Sequence, residues 1–382
     1  MATSIGARGH RRRARDRQGP GRIPAGARVP RPGPRVNERV DRLREGLEEP
    51  LLVSTPANIC YLTGFSSSNA AMLVEPERIR VFSDFRYSSA GKALERDGVE
   101  FVETNRNLYA GLAELLEGRI GFEATTVTYA EYETLAAGGL ELAPRRGLVE
   151  ALRAVKDEGE LDAIRAAAAV TNEALERFAQ ERFTGRSERE LAWKLDELFH
   201  GLGAKGPAFE TIVAGGPNGA LPHSRPTERE IQPGETVVVD AGALVDGYCA
   251  DCTRTFATGP LPDRLKDAYA VCLEGQQTGL QGVRAGTNGI DADASARTVI
   301  DRAGFGEQFG HGLGHGVGIE VHEAPRLSRE SSDTLAAGNV VTVEPGIYLP
   351  GVGGIRIEDL VVVTEDGPEI LTRFTKDFVT VD

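Results

Sequence analysis

The sequence predicts an α/β (α+β) chain with two parts, a small domain over residues 37–150 and a larger one over 151–382. Three observations carry this. Strand and helix signals alternate through the first part, which favours a sheet covered by helices. Two helix pairs in the second part are each followed by a β-rich stretch. The nine residues Gly234 to Gly242 (GETVVVDAG) align with Gly338 to Gly346 (GNVVTVEPG) at an offset of 104 residues, so the second part contains an internal repeat.

In the first part, Arg39 to Leu47 reads as a short helix and Leu51 to Val53 as an apolar strand ending in Ser54-Thr55-Pro56. Ala70 to Val74 and Ile79 to Phe82 read as strands joined by a turn at Glu75-Pro76-Glu77. Leu108 to Leu116 is helical and Arg119 to Phe122 is a further strand. The second part opens near Lys156. Leu161, Ile164, Ala168, Leu175 and Phe178 fall on one helix face, and Gly185 is expected to stop that helix. Ser187 with Glu190 forms a capping box for the next helix, whose buried face holds Leu191, Leu195 and Leu198. Trp193 on this helix is expected in core or interdomain packing. Strands follow at Thr236–Val239 and Asp251–Ala257, helices at about 262–282 and 289–303, and strands at Val340–Val343, Ile355–Ile357 and Leu360–Val363.

Composition limits the function. Of 382 residues, 40% are hydrophobic and 26% charged, as in an ordinary globular protein, and no apolar run is long enough to span a bilayer. Residues 1–36 hold ten Arg and one acid, Asp16, a net charge of +9; the chain totals −13, so the other 346 residues carry −22. An acidic body argues against a nucleic-acid binder. The basic arm is rich in Pro and Gly and is expected to be disordered, with Val36 a candidate alternative start. Four cysteines are too few for a disulfide scaffold, so free thiols in a reducing cytoplasm are expected. Cys249 and Cys252 bracket an acid without a second pair, and are read as inert.

The chemistry lies in the repeat. Each copy carries a carboxylate at the end of its strand, Asp240 or Glu344, and a second on the return strand, Asp251 or Glu358. Pseudo-symmetry would bring the four face to face. Four of the six histidines, His223, His311, His315 and His322, lie close by in sequence. Four carboxylates and an imidazole suit Mn(II), Fe(II) or Co(II) better than a structural zinc. Bound cations would also remove the repulsion among the acids. Glu323 and Arg326 either contact a substrate terminus or pair as ions on a loop. His200 reads as a charge at a helix C-terminus.

Asp240 and Asp251 are eleven residues apart, and Glu344 and Glu358 are fourteen apart. With Val-Asp-Ala-Gly, Asp-Cys-Thr-Arg-Thr-Phe, His-Gly-x-Gly-His-Gly, Val-His-Glu, Val-Glu-Pro-Gly and Arg-Ile-Glu-Asp, the chain resembles the pita-bread metallopeptidases. The similar branch is that of the Xaa-Pro aminopeptidases and prolidases. Asn58 to Phe65 resembles part of the creatinase-type N-terminal domain of that branch, a domain that methionine aminopeptidases usually lack. The resemblance covers residues 37–382.

It implies a pita-bread catalytic domain with two divalent metal ions, Mn(II) foremost, with Co(II), Fe(II) or Zn(II) as alternatives. Asp240 would chelate one ion, His315 and Glu344 the other, and Asp251 and Glu358 would bridge them. Glu344 would take the proton of the attacking water. His223 and His322 would face the scissile carbonyl, Arg356 and Tyr348 would support the ligands, and His311 would line the rim. The implied reaction is hydrolysis of the Xaa-Pro imide bond of peptides with proline second, by an aminopeptidase P-like enzyme or a prolidase restricted to dipeptides. A creatinase-like amidinohydrolase or a non-enzymatic binding module on this fold would lack the ligands that this chain keeps. A cytoplasmic homodimer, with no nucleic-acid or membrane partner, is expected.

Overall fold

The structure is a computed structural model that describes residues 36–382. The basic arm expected over residues 1–36 lies outside the described residues, apart from Val36, which opens the first helix. The chain begins with α1 (Val36–Arg44), β1 (Leu51–Val53), α2 (Pro56–Thr63), β2 (Ala70–Val74), β3 (Ile79–Asp84), α3 (Ser88–Ala93), β4 (Glu100–Thr104), α4 (Leu108–Leu115), β5 (Arg119–Glu123), α5 (Tyr129–Ala137) and β6 (Glu141–Arg145). These strands form one mixed sheet in the order β4-β3-β2-β1-β5-β6. Alternation along β1 and β2 splits the core in two. Leu51, Val53, Met72 and Val74 pack on one face, and Leu52, Ala71 and Leu73 on the other. With helices on both sides, both faces of these strands are buried, which is why they read as continuous apolar runs.

The sequence reading did not include α3, β4, α5 or β6, and two further details differ from it. The first helix lies three residues earlier than expected, because Gly46 and Leu47 close tight turns onto Leu43 and Arg44 instead of continuing it. Helix α2 was not expected. Pro56 opens it, where a missing N–H costs nothing, and Gly64 ends it at φ 72°.

The second half opens with α6 (Leu148–Ala154), α7 (Glu158–Phe178) and α8 (Glu188–Gly201). Capping boxes start both long helices, Asp157 with Glu160 and Ser187 with Glu190. Helix α7 stops at Phe178, seven residues before Gly185. There the chain turns back so that the Phe183 ring packs on that of Phe178, with centroids 4.9 Å apart. Trp193 is a correction: its residue is 67% exposed. It lies two positions from Leu191 and so points away from the face that buries Leu191, Leu195 and Phe199.

The repeat follows. The first copy is β7 (Gly206–Pro207), β8 (Ile212–Gly215), β9 (Thr236–Ala241), β10 (Ala243–Val245), β11 (Tyr248–Cys249) and β12 (Cys252–Ala257). Next come the helix pair α9 (Asp263–Gly282) and α10 (Gly289–Arg302), then β13 (Gly314–Gly316) and β14 (Glu323–Leu327). The second copy is β15 (Val340–Val343), β16 (Gly346–Leu349), β17 (Gly353–Arg356) and β18 (Asp359–Val363), with β19 (Pro368–Ile370) at the sheet edge. In each copy a strand leaves its sheet at a carboxylate, makes a hairpin and returns at a second carboxylate. At the first departure Gly242 is required: a Cβ there would sit 1.7 Å from the Ala250 carbonyl oxygen. The copies meet directly, because Glu358 N–H donates to Thr253 O at 3.1 Å.

Candidate metal and active site

Residue by residue, the fold brings three of the four carboxylates to breaks between strands and the fourth, Asp240, to the end of one. Asp240 is the fifth residue of β9, and Asp251 stands just before β12. Glu344 and Glu358 fill the gaps β15/β16 and β17/β18. Asp240, Asp251 and Glu358 each offer a ligand oxygen, and these lie within 4.8 Å of one another. His315 Nε2, on β13, is 3.2 Å from Glu344 Oε1 and 3.8 Å from Asp251 Oδ2. All ten residues singled out in the sequence line one cavity of about 660 Å³: His223, Asp240, Asp251, His311, His315, His322, Glu344, Tyr348, Arg356 and Glu358.

The electrostatics are those of a site short of positive charge. Burial, with the neighbouring charges of Glu358, Asp240 and Glu344, pushes the Asp251 carboxyl far above its usual range. Burial and the Glu344 and Asp240 charges do the same to Glu358. Burial would also raise Glu344, but the His315 hydrogen bond and the charges of His315, His311 and Arg356 outweigh it and hold Glu344 at about 2. Asp240 Oδ1 is buried and has no hydrogen-bond partner. A buried carboxylate oxygen left orphaned among like charges is costly. Divalent cations satisfy it, and the set of four carboxylates with one imidazole has the right donor chemistry. The residues present therefore fit the divalent metals that the sequence implied.

A polar network fixes these groups. Arg356 Nη2 donates to Asp240 Oδ2 at 2.7 Å, Nη1 to Tyr348 Oη at 2.9 Å, and Nε to Thr253 Oγ1 at 3.0 Å. Thr253 in turn donates to Glu358 Oε2 at 2.6 Å. His311 Nε2 is 2.9 Å from Tyr348 Oη. Arg356 Nη1 also reaches Pro222 O at 3.2 Å, which ties down the loop carrying His223. Thr342 Oγ1 donates to Glu344 Oε1 at 3.0 Å. The sequence reading missed Thr253 and Thr342. Each is an ordinary strand threonine, and the one available signal was that each lies two residues from a carboxylate.

Comparison with known proteins agrees with this geometry. Residues 162–365 match the model of metallopeptidase family M24. The chain belongs to that family. Residues 39–155 match the creatinase/prolidase N-terminal domain. An Xaa-Pro dipeptidase of Pyrococcus horikoshii is 33% identical, with 90% of this chain and 99% of that protein covered. Among solved structures, an Xaa-Pro dipeptidase from Bacillus anthracis superposes with a TM-score of 0.86 at 36% identity, covering 91% of this chain and all of the other. An X-Pro aminopeptidase from Thermotoga maritima superposes at 0.79 with 34% identity, covering 89% of this chain and all of the other. The chain is thus a metallopeptidase with a pita-bread catalytic domain behind a creatinase-type N-terminal domain.

Of the other sequence expectations, Cys249 and Cys252 are buried free thiols that donate to Ile319 O and Glu358 O. His200 lies in the last turn of α8. Glu323 forms its ion pairs with Arg153 and Lys156 rather than with Arg326, which lines the cavity. Among the described residues, no helix is long and apolar enough to cross a membrane.

Proposed function

We propose that this metallopeptidase hydrolyses the Xaa-Pro bond at the N-terminus of peptides. The single observation that carries the reading is the cluster of Asp240, Asp251 and Glu358 with His315 and Glu344 beside it, in a family whose similar members are named for Xaa-Pro cleavage. In this reading Asp240 would hold one divalent ion, His315 and Glu344 would hold a second, and Asp251 and Glu358 would help to hold both. Mn(II) is the expected metal, with Co(II), Fe(II) and Zn(II) as alternatives. When bound, the ions supply Lewis acidity and lower the pKa of water.

The chain's own residues do the rest. Glu344, ionised at neutral pH, is able to take a proton from the attacking water and pass it to the imide nitrogen. That nitrogen carries no N–H of its own and leaves poorly without one. His322 lines the same cavity. Burial, with His315 beside it, lowers its pKa, so the ring is neutral near pH 7 and offers one N–H to the scissile carbonyl oxygen. His223 is assigned the same task from the opposite loop. Arg356 and Tyr348 keep Asp240 in place, and His311 positions the Tyr348 hydroxyl.

The leading form is an aminopeptidase P-like enzyme that takes longer peptides. A prolidase restricted to dipeptides is the second form, favoured by the names of the relatives at 33% and 36% identity. Comparing Ala-Pro with Ala-Pro-Ala under Mn(II) separates them. Cleavage of the tripeptide supports the first, and cleavage of the dipeptide alone the second. The free buried thiols agree with a reducing cytoplasm. A homodimer is the assembly proposed, from the family resemblance.

A further inference from the structure

His322 stands one residue before β14, and Glu323 opens that strand. Glu323 is paired with Gly316, the neighbour of His315. Its carboxylate points to Arg153 in the last turn of α6 and to Lys156 just after that helix, and both Glu323 and Arg153 lie in the wall of the cavity that holds His322. Oε1 accepts from Arg153 Nη2 and from the Glu320 N–H, and Oε2 accepts from Lys156 Nζ at 3.1 Å. The three side chains are almost wholly enclosed, 6% exposed for Glu323, 3% for Arg153 and 1% for Lys156. Gly318 makes room for the carboxylate, since a Cβ there would stand 2.6 Å from Glu323 Oε2.

Arg153 and Lys156 are themselves held. Arg153 Nη1 donates to Asn58 Oδ1 at 2.7 Å, and Asn58 Nδ2 donates to Glu123 and Glu150 at 2.6 and 2.7 Å. The Lys156 N–H donates to Gly338 O at 2.9 Å, at the turn before β15. The cluster therefore joins the N-terminal sheet, through Asn58 and Glu123, to the strand that follows His322.

Burying two cations and a carboxylate is an inefficient way to stabilise a fold. Each ion gives up its hydration, and well-packed apolar residues often serve as well or better. What a buried ionic cluster does supply is direction, because its hydrogen bonds tolerate one geometry. The residue whose geometry is fixed here is Glu323, covalently joined to His322. The His322 ring lies against that of His315, with centroids 4.3 Å apart.

We propose that Arg153 and Lys156 are positioning residues that act through Glu323 to hold the His322 imidazole in the site. The proposal rests on the reading of His322 as the group that binds the scissile carbonyl. Through Asn58 and Glu123, which hold Arg153, the N-terminal domain then contributes to catalysis. A displacement of about 1 Å in such a group costs on the order of 100-fold in rate.

The test is a double-mutant cycle on the full chain with an Xaa-Pro dipeptide and saturating Mn(II). Arg153→Met and Glu323→Gln are each measured alone and combined with His322→Ala, and Arg153→Lys is included as the conservative variant. Each single variant is expected to lower kcat about 10- to 100-fold, with KM within about twofold and bound metal unchanged. Arg153→Lys should recover part of the loss. In the His322→Ala background the same changes should cost less than about twofold, because the group they position is gone. Multiplying losses in that background, a matching loss of bound metal, or unchanged kcat in the single variants would each overturn the proposal. If Arg153→Met does not fold, the isosteric Glu323→Gln carries the cycle. Wild-type kcat in His322→Ala would instead overturn the reading of His322, and the positioning proposal with it.

Discussion

Arg356 Nη2 lies 2.7 Å from Asp240 Oδ2, and the two residues come from opposite copies of the repeat. One guanidinium thus joins β17 to β9 across the centre of the site. Its Nε also holds Thr253, whose hydroxyl holds Glu358. Two of the three clustered carboxylates are therefore oriented by one cation that is itself buried. A single cation does not neutralise four acids, and this deficit is the physical reason for expecting divalent metal.

Replacing a proposed bridging ligand should abolish turnover. Asp251→Ala or Glu358→Ala is expected to lower kcat/KM by more than about 1,000-fold, on the order of 4 kcal/mol of lost transition-state stabilisation. Bound metal should fall below two per chain. Metal analysis with peptide assays checks this, and near-normal activity in either variant would contradict the ligand assignment.

Thr253→Val keeps the shape of the strand and removes the hydroxyl between Arg356 and Glu358. Such a partner of a ligand typically matters about 10- to 100-fold in metal affinity or activity. We expect a loss in that range with the fold intact by circular dichroism. An unchanged metal titration and kcat would show that Glu358 is held without it.

Metal should stabilise the protein, since it binds the folded cluster and relieves its repulsion. At 100 times its dissociation constant a ligand adds about 2.7 kcal/mol. For a chain of this size that raises Tm by a few degrees, about 2–4 °C per kcal/mol being the handle for 150–250 residues and less for larger domains. Calorimetry with and without chelator measures the shift. A chelated protein with the same Tm would argue against a folded, strained acid cluster.

Glu160 supplies a pH test away from the site. It caps α7 and accepts a hydrogen bond from Tyr248, and burial pushes it up to about 7 from 4.5 despite the nearby Arg39 charge. The folded state therefore binds the proton more tightly than the unfolded chain. Its contribution is full below pH 4.5 and is lost as pH rises through 7. The loss is on the order of 3 kcal/mol. Gln also serves in a capping box, so Glu160→Gln should be more stable relative to wild type at pH 8 than at pH 5. Denaturant unfolding at the two values decides, and a pH-independent difference would refute the account.

Much of this site was legible in the sequence because its chemistry recurs at fixed spacing. The 104-residue offset paired Asp240 with Glu344 before any strand was seen. Asp251 and Glu358 depart from that offset by three residues, because the second hairpin is longer: fourteen between carboxylates against eleven. Their roles came through the family resemblance. What was hidden is what depends on distant contacts. Thr253 and Thr342 carry no mark of their own. Arg153 and Lys156 meet Glu323 across about 170 residues of chain, separations of 170 and 167. Trp193 misled because a large aromatic residue suggested burial, although its position two residues from Leu191 already placed it on the outer face.

The central claim is metal-dependent cleavage before proline by this carboxylate cluster. The most direct measurement is hydrolysis of Ala-Pro and of Ala-Pro-Ala by the purified full chain, stripped of metal and then titrated with Mn(II). The account predicts no cleavage in chelator and activity that rises to a plateau as two ions bind per chain. No cleavage at any occupancy with Mn(II), Co(II), Fe(II) or Zn(II), or full cleavage in chelator, would contradict it.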